Sequence, residues 1–472
     1  MKRYRQLCVI GTLLMIIAGM LFPKGAGGIT IKEEEEMSRE FMKVVLAHFQ
    51  LIKDPLLIDY VNEIGQKIIA VFPPQPFTYH FYVIKEGDYN AFASPAGHIF
   101  IYSGLLEAMD SEDELAGILS HEISHVACRH ISQKIERAKK VGYATLAGVA
   151  AGMILGAQGA GTAANAMTVG SIAAGQSAML AYSRDDEAQA DQLGLACLKR
   201  AGYSAKGLLV MLNKIRSRQW FGSGQVPTYL QTHPASEDRM AAIDTWIATQ
   251  EKSPADINPY KFQRARTWLA AVYGDEGAAL KNFESDVKSH PEDPLAHYGY
   301  GLILARIGNR HDAVEQLKTA LERKAFDPYI LKDVGRVYFL DGRYQEALDT
   351  LSAAKSVAAY DPEGLFYLGR TQMEMGRIEE AAVTLEKLIS INPEYSQAYY
   401  FLGEACSKAN RPNDAHYYLG IYYKNNSNFN NAAFHLKKAL ELTNDPDKRL
   451  KIEEMLKEVH KEIAQSRKKA TP

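Results

Sequence analysis

Apolar and polar positions follow different rules in different stretches of the chain, and each rule predicts a different element. Leu7 to Phe22 run apolar without a charge, directly behind Lys2, Arg3 and Arg5. Between residues 30 and about 250, strand and helix signals mix. His98-Ile99-Phe100-Ile101-Tyr102 reads as a strand, while Leu115, Ile118, Leu119, Ile123 and Val126 keep helical spacing. Ser111 and Glu114 form a capping box ahead of that run, which predicts a helix from residue 112 to about 137. Val141 to Ser183 carries no charge, and Gly148, Gly152 and Gly156 step by four, as in a helix that packs very closely on another. With a break at Gln158–Thr162, residues 141–183 are expected to form a Gly/Ala-rich helical hairpin. Residues 252–266, with Pro254 and Pro259, read as a linker.

Beyond the linker the pattern is helical and repeats. Gly274, Gly308, Gly342 and Gly376 step by 34, as do Gly301, Gly335, Gly369 and Gly403, and Ala279, Ala313, Ala347, Ala381 and Ala415. Pro294, Pro328 and Pro362 keep the same step where helices would begin. Small residues are needed where two helices cross closely, and a helix pair occupies about 34 residues. The pattern resembles the tetratricopeptide repeat over roughly 265–442, so 251–466 is expected to be an all-α solenoid. Gly420 and Ala432 keep the spacing of Gly301 and Ala313 but half a repeat out of phase, so one helix at about 412–424 is expected to serve two units. The charged, amphipathic Lys448–Ser466 would cap the array. The concave face of such a solenoid usually holds peptide or protein segments.

Composition narrows the picture. A chain of 472 residues implies two or three domains. A net charge of -2 supplies no field for nucleic acid or an anionic membrane, so no nucleic-acid partner is expected. The basic start, the apolar run and the small residues Gly25 to Gly28 read as a secretory signal peptide at 1–28 and a periplasmic chain; the alternative is an inner-membrane anchor through 7–22. After its removal Cys128, Cys197 and Cys406 remain, an odd number without C-x-x-C spacing, so thiol metal ligands are not expected and buried free thiols are.

The chemistry lies on the helix beginning at 112. His121 and His125, four apart, share one face and can hold one zinc ion, while Glu122 between them can reach a metal-bound water and act as general base. A third protein ligand is needed. Glu187 and Asp191 open a later helix four residues apart, and spacing alone does not choose between them. His130, nine residues after His121, would lie on the opposite side of a continuous helix and is expected to be structural.

Four segments carry a further likeness. Asn90-Ala91-Phe92-Ala93-Ser94-Pro95-Ala96-Gly97 with Gly104-Leu105-Leu106, the segment Glu112 to His130 containing His121-Glu122-Ile123-Ser124-His125, Glu187-x-x-Ala190-Asp191, and Thr232-His233-Pro234 with Arg239 occur in order. Over about 35–245 the chain resembles the M48 family of zinc metallopeptidases. It departs from the family at Ala96, where a glycine is usual, which bears on the turn geometry.

The resemblance implies an α+β, zincin-like, mostly helical peptidase domain with a small sheet at 29–250, ahead of the solenoid. It implies that His121, His125 and Glu187 are metal ligands for one Zn2+ per chain, and that Glu122 and Asp191 are catalytic. It makes His233 a possible fourth or regulatory ligand, and Gly97, His98, Ile99, Phe100 and Ile101 an edge strand that pairs with substrate. A leader, an M48-like domain and a repeat array together resemble periplasmic quality-control proteases. That likeness implies cleavage of misfolded or stalled outer-membrane proteins, with the repeats docking on the β-barrel assembly machinery. Two alternatives stay open: a zinc-bound chaperone or scaffold with little proteolysis, and a general periplasmic peptidase. Peripheral membrane contact through 141–183 is a further expectation.

Overall fold

The computed structural model describes residues 29–139, 182–221, 227–250 and 259–470. The expected leader at 1–28 and nearly all of the hairpin at 141–183 lie outside them. No helix among the described residues is long and apolar enough to cross a membrane. The chain divides into two compact units, up to Gly274 and from Asp275 onward. Helix α10 (Pro259–Tyr273) therefore counts with the first unit, whereas the linker-like composition of 252–266 placed the boundary earlier. Phe262 explains this, since it is buried against the ring of Tyr60.

The first unit is mostly helical around a small mixed sheet. Its order is α1 (Ile31–His48), β1 (Leu51–Ile52), α2 (Pro55–Ile69), β2 (His80–Ile84), β3 (Ala91–Ala93), β4 (His98–Tyr102), α3 (Ser103–Glu107), α4 (Glu112–Ala127) and α5 (His130–Lys139), then α6 (Arg184–Ala201), α7 (Lys206–Phe221), α8 (Thr228–Thr232) and α9 (Glu237–Gln250). The strands lie in the order β1-β2-β4-β3. β4 pairs in parallel with β2, His80 opposite His98, and antiparallel with β3, Phe92 opposite Phe100. The strand expected at the edge is thus interior. Ile99, Phe100, Ile101 and Tyr102 are all buried, the apolar run of a strand covered on both faces. The edge next to it is β3. Ser94 N–H donates to His98 O and Tyr102 N–H to Asn90 O, which turns the backbone groups of Ala91 and Ala93 away from β4. The turn into β4 forms with Ala96 in the left-handed region (φ 61°), at a cost of roughly 1 kcal/mol. Gly97 follows at φ 92°, where a Cβ would lie 2.7 Å from Thr78 O.

α4 begins as the sequence predicts, with Ser111 Oγ accepting from Glu114 N–H; the Glu114 carboxylate takes the N–H of Asp110. It ends earlier than predicted. Cys128 caps it and Arg129 turns left-handed (φ 56°), so α5 starts in a new direction at His130. The flank of α4 admits α7 at backbone distance: a Cβ on Gly207 would sit 2.1 Å from Asp113 O, and one on Gly117 2.6 Å from Leu208 N.

The second unit is a run of helix pairs: α11 (Glu276–Ser289), α12 (Pro294–Arg306), α13 (Arg310–Arg323), α14 (Pro328–Leu340), α15 (Tyr344–Val357), α16 (Pro362–Glu374), α17 (Ile378–Ile391), α18 (Ser396–Lys408), α19 (Pro412–Asn425), α20 (Phe429–Leu442) and α21 (Pro446–Ala470). Asp293, Asp327 and Asp361 cap the helices that open with the periodic prolines. The periodic glycines are contact points. Cβ positions on Gly301, Gly335, Gly369 and Gly403 would press on Leu317, Leu351, Leu385 and Leu419 of the following helix. Gly420 makes the same contact with Leu436, so α19 receives Gly403 through Leu419 and also presents Gly420 to α20.

Candidate metal centre

α4 carries His121, Glu122 and His125, each at most 1% exposed. α6 brings Glu187 and Asp191 against it; its N-terminus is fixed by a capping box between Ser183 and Asp186. Close approach of the two helices is secured by Ser120 Oγ donating to Gly194 O at 2.9 Å. His233 closes the group from the residue after α8, its ring stacked on Tyr229.

Ligand atoms of His121, His125, Glu187 and His233 all lie within 4.8 Å of one another. His125 Nε2 is 3.0 Å from His121 Nε2, and His233 Nδ1 is 3.3 Å from His121 Nε2 and 3.0 Å from Glu187 Oε1. Both oxygens of Glu122 and Nε2 of His233 are buried without a hydrogen-bond partner. Converging nitrogen lone pairs and unpaired buried polar atoms are costly by themselves, and a cation among them removes that cost. Three imidazoles and one carboxylate are a donor set that suits zinc. The cluster can therefore hold a metal ion.

The groups behind the candidate ligands orient their rings. His121 Nδ1 lies 2.9 Å from Asp191 Oδ1, so the ring donates there and turns Nε2 into the cluster. His125 Nδ1 lies 2.9 Å from His130 Nδ1, and His130 Nε2 is 2.8 Å from Gln189 Oε1. A single proton order satisfies this chain: His125 Nδ1–H donates to His130 and His130 Nε2–H to Gln189, leaving His125 Nε2 free for a cation. The left-handed Arg129 allows it, by bringing His130 back beside His125. The opposite-face position expected for His130 on a continuous helix is thus corrected.

Arg239 on α9 completes the electrostatics. Its guanidinium is 2.5 Å from Glu187 Oε2 and binds Asp191 at 2.7 and 2.9 Å. Burial pushes the Glu187 carboxyl up, but the charges of His233, Arg239 and His121 outweigh it and hold the group well below the usual carboxylate range. Asp191 is likewise held low, burial being outweighed first by Arg239 and then by its bond to His121. Both carboxylates are ionised at neutral pH. Asp191, grouped with Glu122 as catalytic from the sequence, has its oxygens on His121 and Arg239. Gly97 to Ile101 lie in and just before the interior strand and offer no free edge. The sequence missed the roles of Arg239 and Gln189, and it missed Tyr182, whose ring stacks on His125 at 3.9 Å. Only Arg239 carried a signal, through its place in the motif after His233.

Known proteins resemble both regions of the chain. The profile of peptidase family M48 matches residues 55–247, and tetratricopeptide repeat profiles match 304–362 and 363–395. The putative beta-barrel assembly-enhancing protease of Vibrio cholerae is 30% identical over 313 residues, 65% of this chain and 63% of that protein. The beta-barrel assembly-enhancing protease of Escherichia coli K12 is 26% identical over 315 residues, 66% of this chain and 62% of that protein. The chain thus spans a little under two thirds of the length of these relatives. The metalloprotease LoiP of Escherichia coli K12 is 30% identical over 188 residues, 40% of this chain and 68% of that protein.

Proposed function

Because the chain belongs to peptidase family M48, we propose that it is a zinc-dependent endopeptidase with His121, His125 and Glu187 as ligands of one Zn2+. The observation that carries the reading is the Glu122 carboxylate, ionisable, buried and unpaired beside converging ligand atoms. Bound zinc supplies Lewis acidity toward a water and the scissile carbonyl. Glu122 accepts the proton that the water loses and returns it to the leaving nitrogen. His130 and Asp191 keep the two histidine rings turned inward, and Arg239 offsets the second carboxylate. An extended substrate pairs with β3, through the outward backbone groups of Ala91 and Ala93.

The site of action in this reading is the periplasm, reached by removal of the leader at 1–28. Two relatives are named for beta-barrel assembly, and the reading takes misfolded or stalled outer-membrane proteins as substrates, with the array docking on the machinery that assembles them. His233, within reach of both Glu187 and the Glu122 side (Nε2 to Oε1 3.7 Å), favours a centre held closed until that residue is displaced. The test is cleavage of an unfolded β-barrel protein by zinc-loaded wild type, Glu122→Gln and His233→Ala. Glu122→Gln should keep its zinc and lose cleavage. His233→Ala should cleave faster. Equal cleavage by Glu122→Gln and wild type would remove Glu122 as the base, and no cleavage by either wild type or His233→Ala would remove the enzyme reading and leave a zinc-bound chaperone.

A further inference from the structure

Ile29, the residue that would lead the chain once 1–28 is removed, is buried. It is 3% exposed and packs in one cluster with Ile131, Ile135 and Tyr182. Its N–H donates to Glu136 Oε1 on α5, and its carbonyl accepts from the guanidinium of Arg129. Arg129 also binds Glu34, a carboxylate only 2% exposed. Arg129 is the left-handed residue at the corner between α4 and α5. The residue after it is His130, which orders the ring of His125. Tyr182, from the same cluster as Ile29, covers the face of that ring. Two routes therefore lead from Ile29 to one candidate zinc ligand, a backbone route through Arg129 and His130 and a packing route through Tyr182.

The sequence before Ile29 supplies the second half of the argument. Ala26-Gly27-Gly28 places small residues at the first and third positions before the Gly28–Ile29 bond, close behind the apolar run ending at Phe22. That is the spacing a signal peptidase reads.

We propose that Gly28–Ile29 is the processing site and that the α-ammonium it creates is a built-in part of the metal-site framework. Hydrolysis adds one water across the amide. The oxygen stays on Gly28 as a carboxylate, and Ile29 leaves with an amino group that is protonated at neutral pH. The contact with Glu136 then changes from a neutral amide hydrogen bond to a charge-assisted one, which is shorter and roughly twice as strong. The quartet of Ile29, Arg129, Glu34 and Glu136 becomes charge-balanced, two cations against two carboxylates. The framework that holds His125 is firmest only after the leader has gone.

The inference rests on the export proposed above, and the experiment separates the two. The full chain is produced with its own leader in a Gram-negative host and its mature mass is measured. A periplasmic product beginning at Ile29 is expected; a product beginning elsewhere, or retaining the leader, overturns the processing site. Timed labelling with an amine reagent then reads the α-amino group directly. It should react at least about ten-fold more slowly in the folded chain than in denaturant, and equal rates overturn the buried ion pair. Finally, Glu136→Gln and a chain carrying two extra residues before Ile29 are compared with the mature protein. Each should lower Tm by several degrees and lose zinc several-fold faster to a chelator, and the combination should be no worse than either alone, since both remove one interaction. If the extension changes neither Tm nor zinc loss, the ammonium has no structural role, whatever Glu136→Gln does.

Discussion

Replacing Arg239 by Gln isolates the electrostatics of the centre. The Arg239 side chain is 6% exposed and bridges two carboxylates, Glu187 at 4% and Asp191 at 8%. Glutamine keeps donors near the same place and removes the charge. Breaking one buried, hydrogen-bonded pair costs about 3–5 kcal/mol, because the surviving charge stays buried without compensation. Here two anions are stranded, and the metal-free protein should lose at least about 3 kcal/mol. A divalent cation supplies positive charge to the same carboxylates, so the loss should be much smaller in the zinc-loaded protein. The assay is urea unfolding of wild type and Arg239→Gln, each stripped by chelator and each with excess zinc. The expected result is a larger zinc-induced gain in the variant than in the wild type, by about 2 kcal/mol, roughly a 30-fold ratio of unfolding constants. Equal losses with and without zinc would refute the reasoning, since Arg239 would then matter only for packing.

Three other perturbations read separate features. His130→Phe removes the acceptor of the His125 Nδ1–H, and chelator competition should show zinc affinity reduced by about 10–100-fold with secondary structure unchanged. His98 is held down to about 4, chiefly by burial and then by the positive field of His80, so it is neutral in the folded chain. Its folded value lies below its unfolded value, so stability is complete above about pH 6.5 and falls as pH drops from there to 4. After discounting for partial exposure the loss is about 1–2 kcal/mol, and His98→Gln should flatten that part of the unfolding-against-pH curve. Gly207→Ala places a Cβ 2.1 Å from Asp113 O and should cost about 1–3 kcal/mol in urea unfolding, with α7 displaced from α4.

How much of this could be read from the sequence depends on how local each feature is. The start of α4 was readable because Ser111, Glu114 and the apolar spacing act within one turn. Its end was not, because Arg129 turns left-handed without glycine or proline to announce it. The same miss sent His130 to the wrong side of the helix. The array was readable because one close contact, glycine on leucine, recurs at a fixed step and even marks its own phase shift at Gly420. Strand order is a long-range property, and nothing within 97–102 shows that β3 folds back and takes the edge. For the centre, the residue types converging on a metal were visible in three motifs. Which of Glu187 and Asp191 lies among the clustered atoms was not, because it depends on where His233, 46 residues beyond Glu187, folds back.

The dispersal of the centre along the chain also sets a clock. His121 and His125 come together as soon as one turn of α4 forms, but His233 lies 112 residues from His121 and Arg239 lies 118. Contacts that far apart close late, because the loop entropy is spent before any contact repays it. A chain emerging from its N-terminus can present two imidazoles to a passing cation long before it can balance the charges around them. Full assembly waits until residue 239 has emerged and folded back on α6. The centre is therefore a late product of folding, complete only when its most distant contributor has docked.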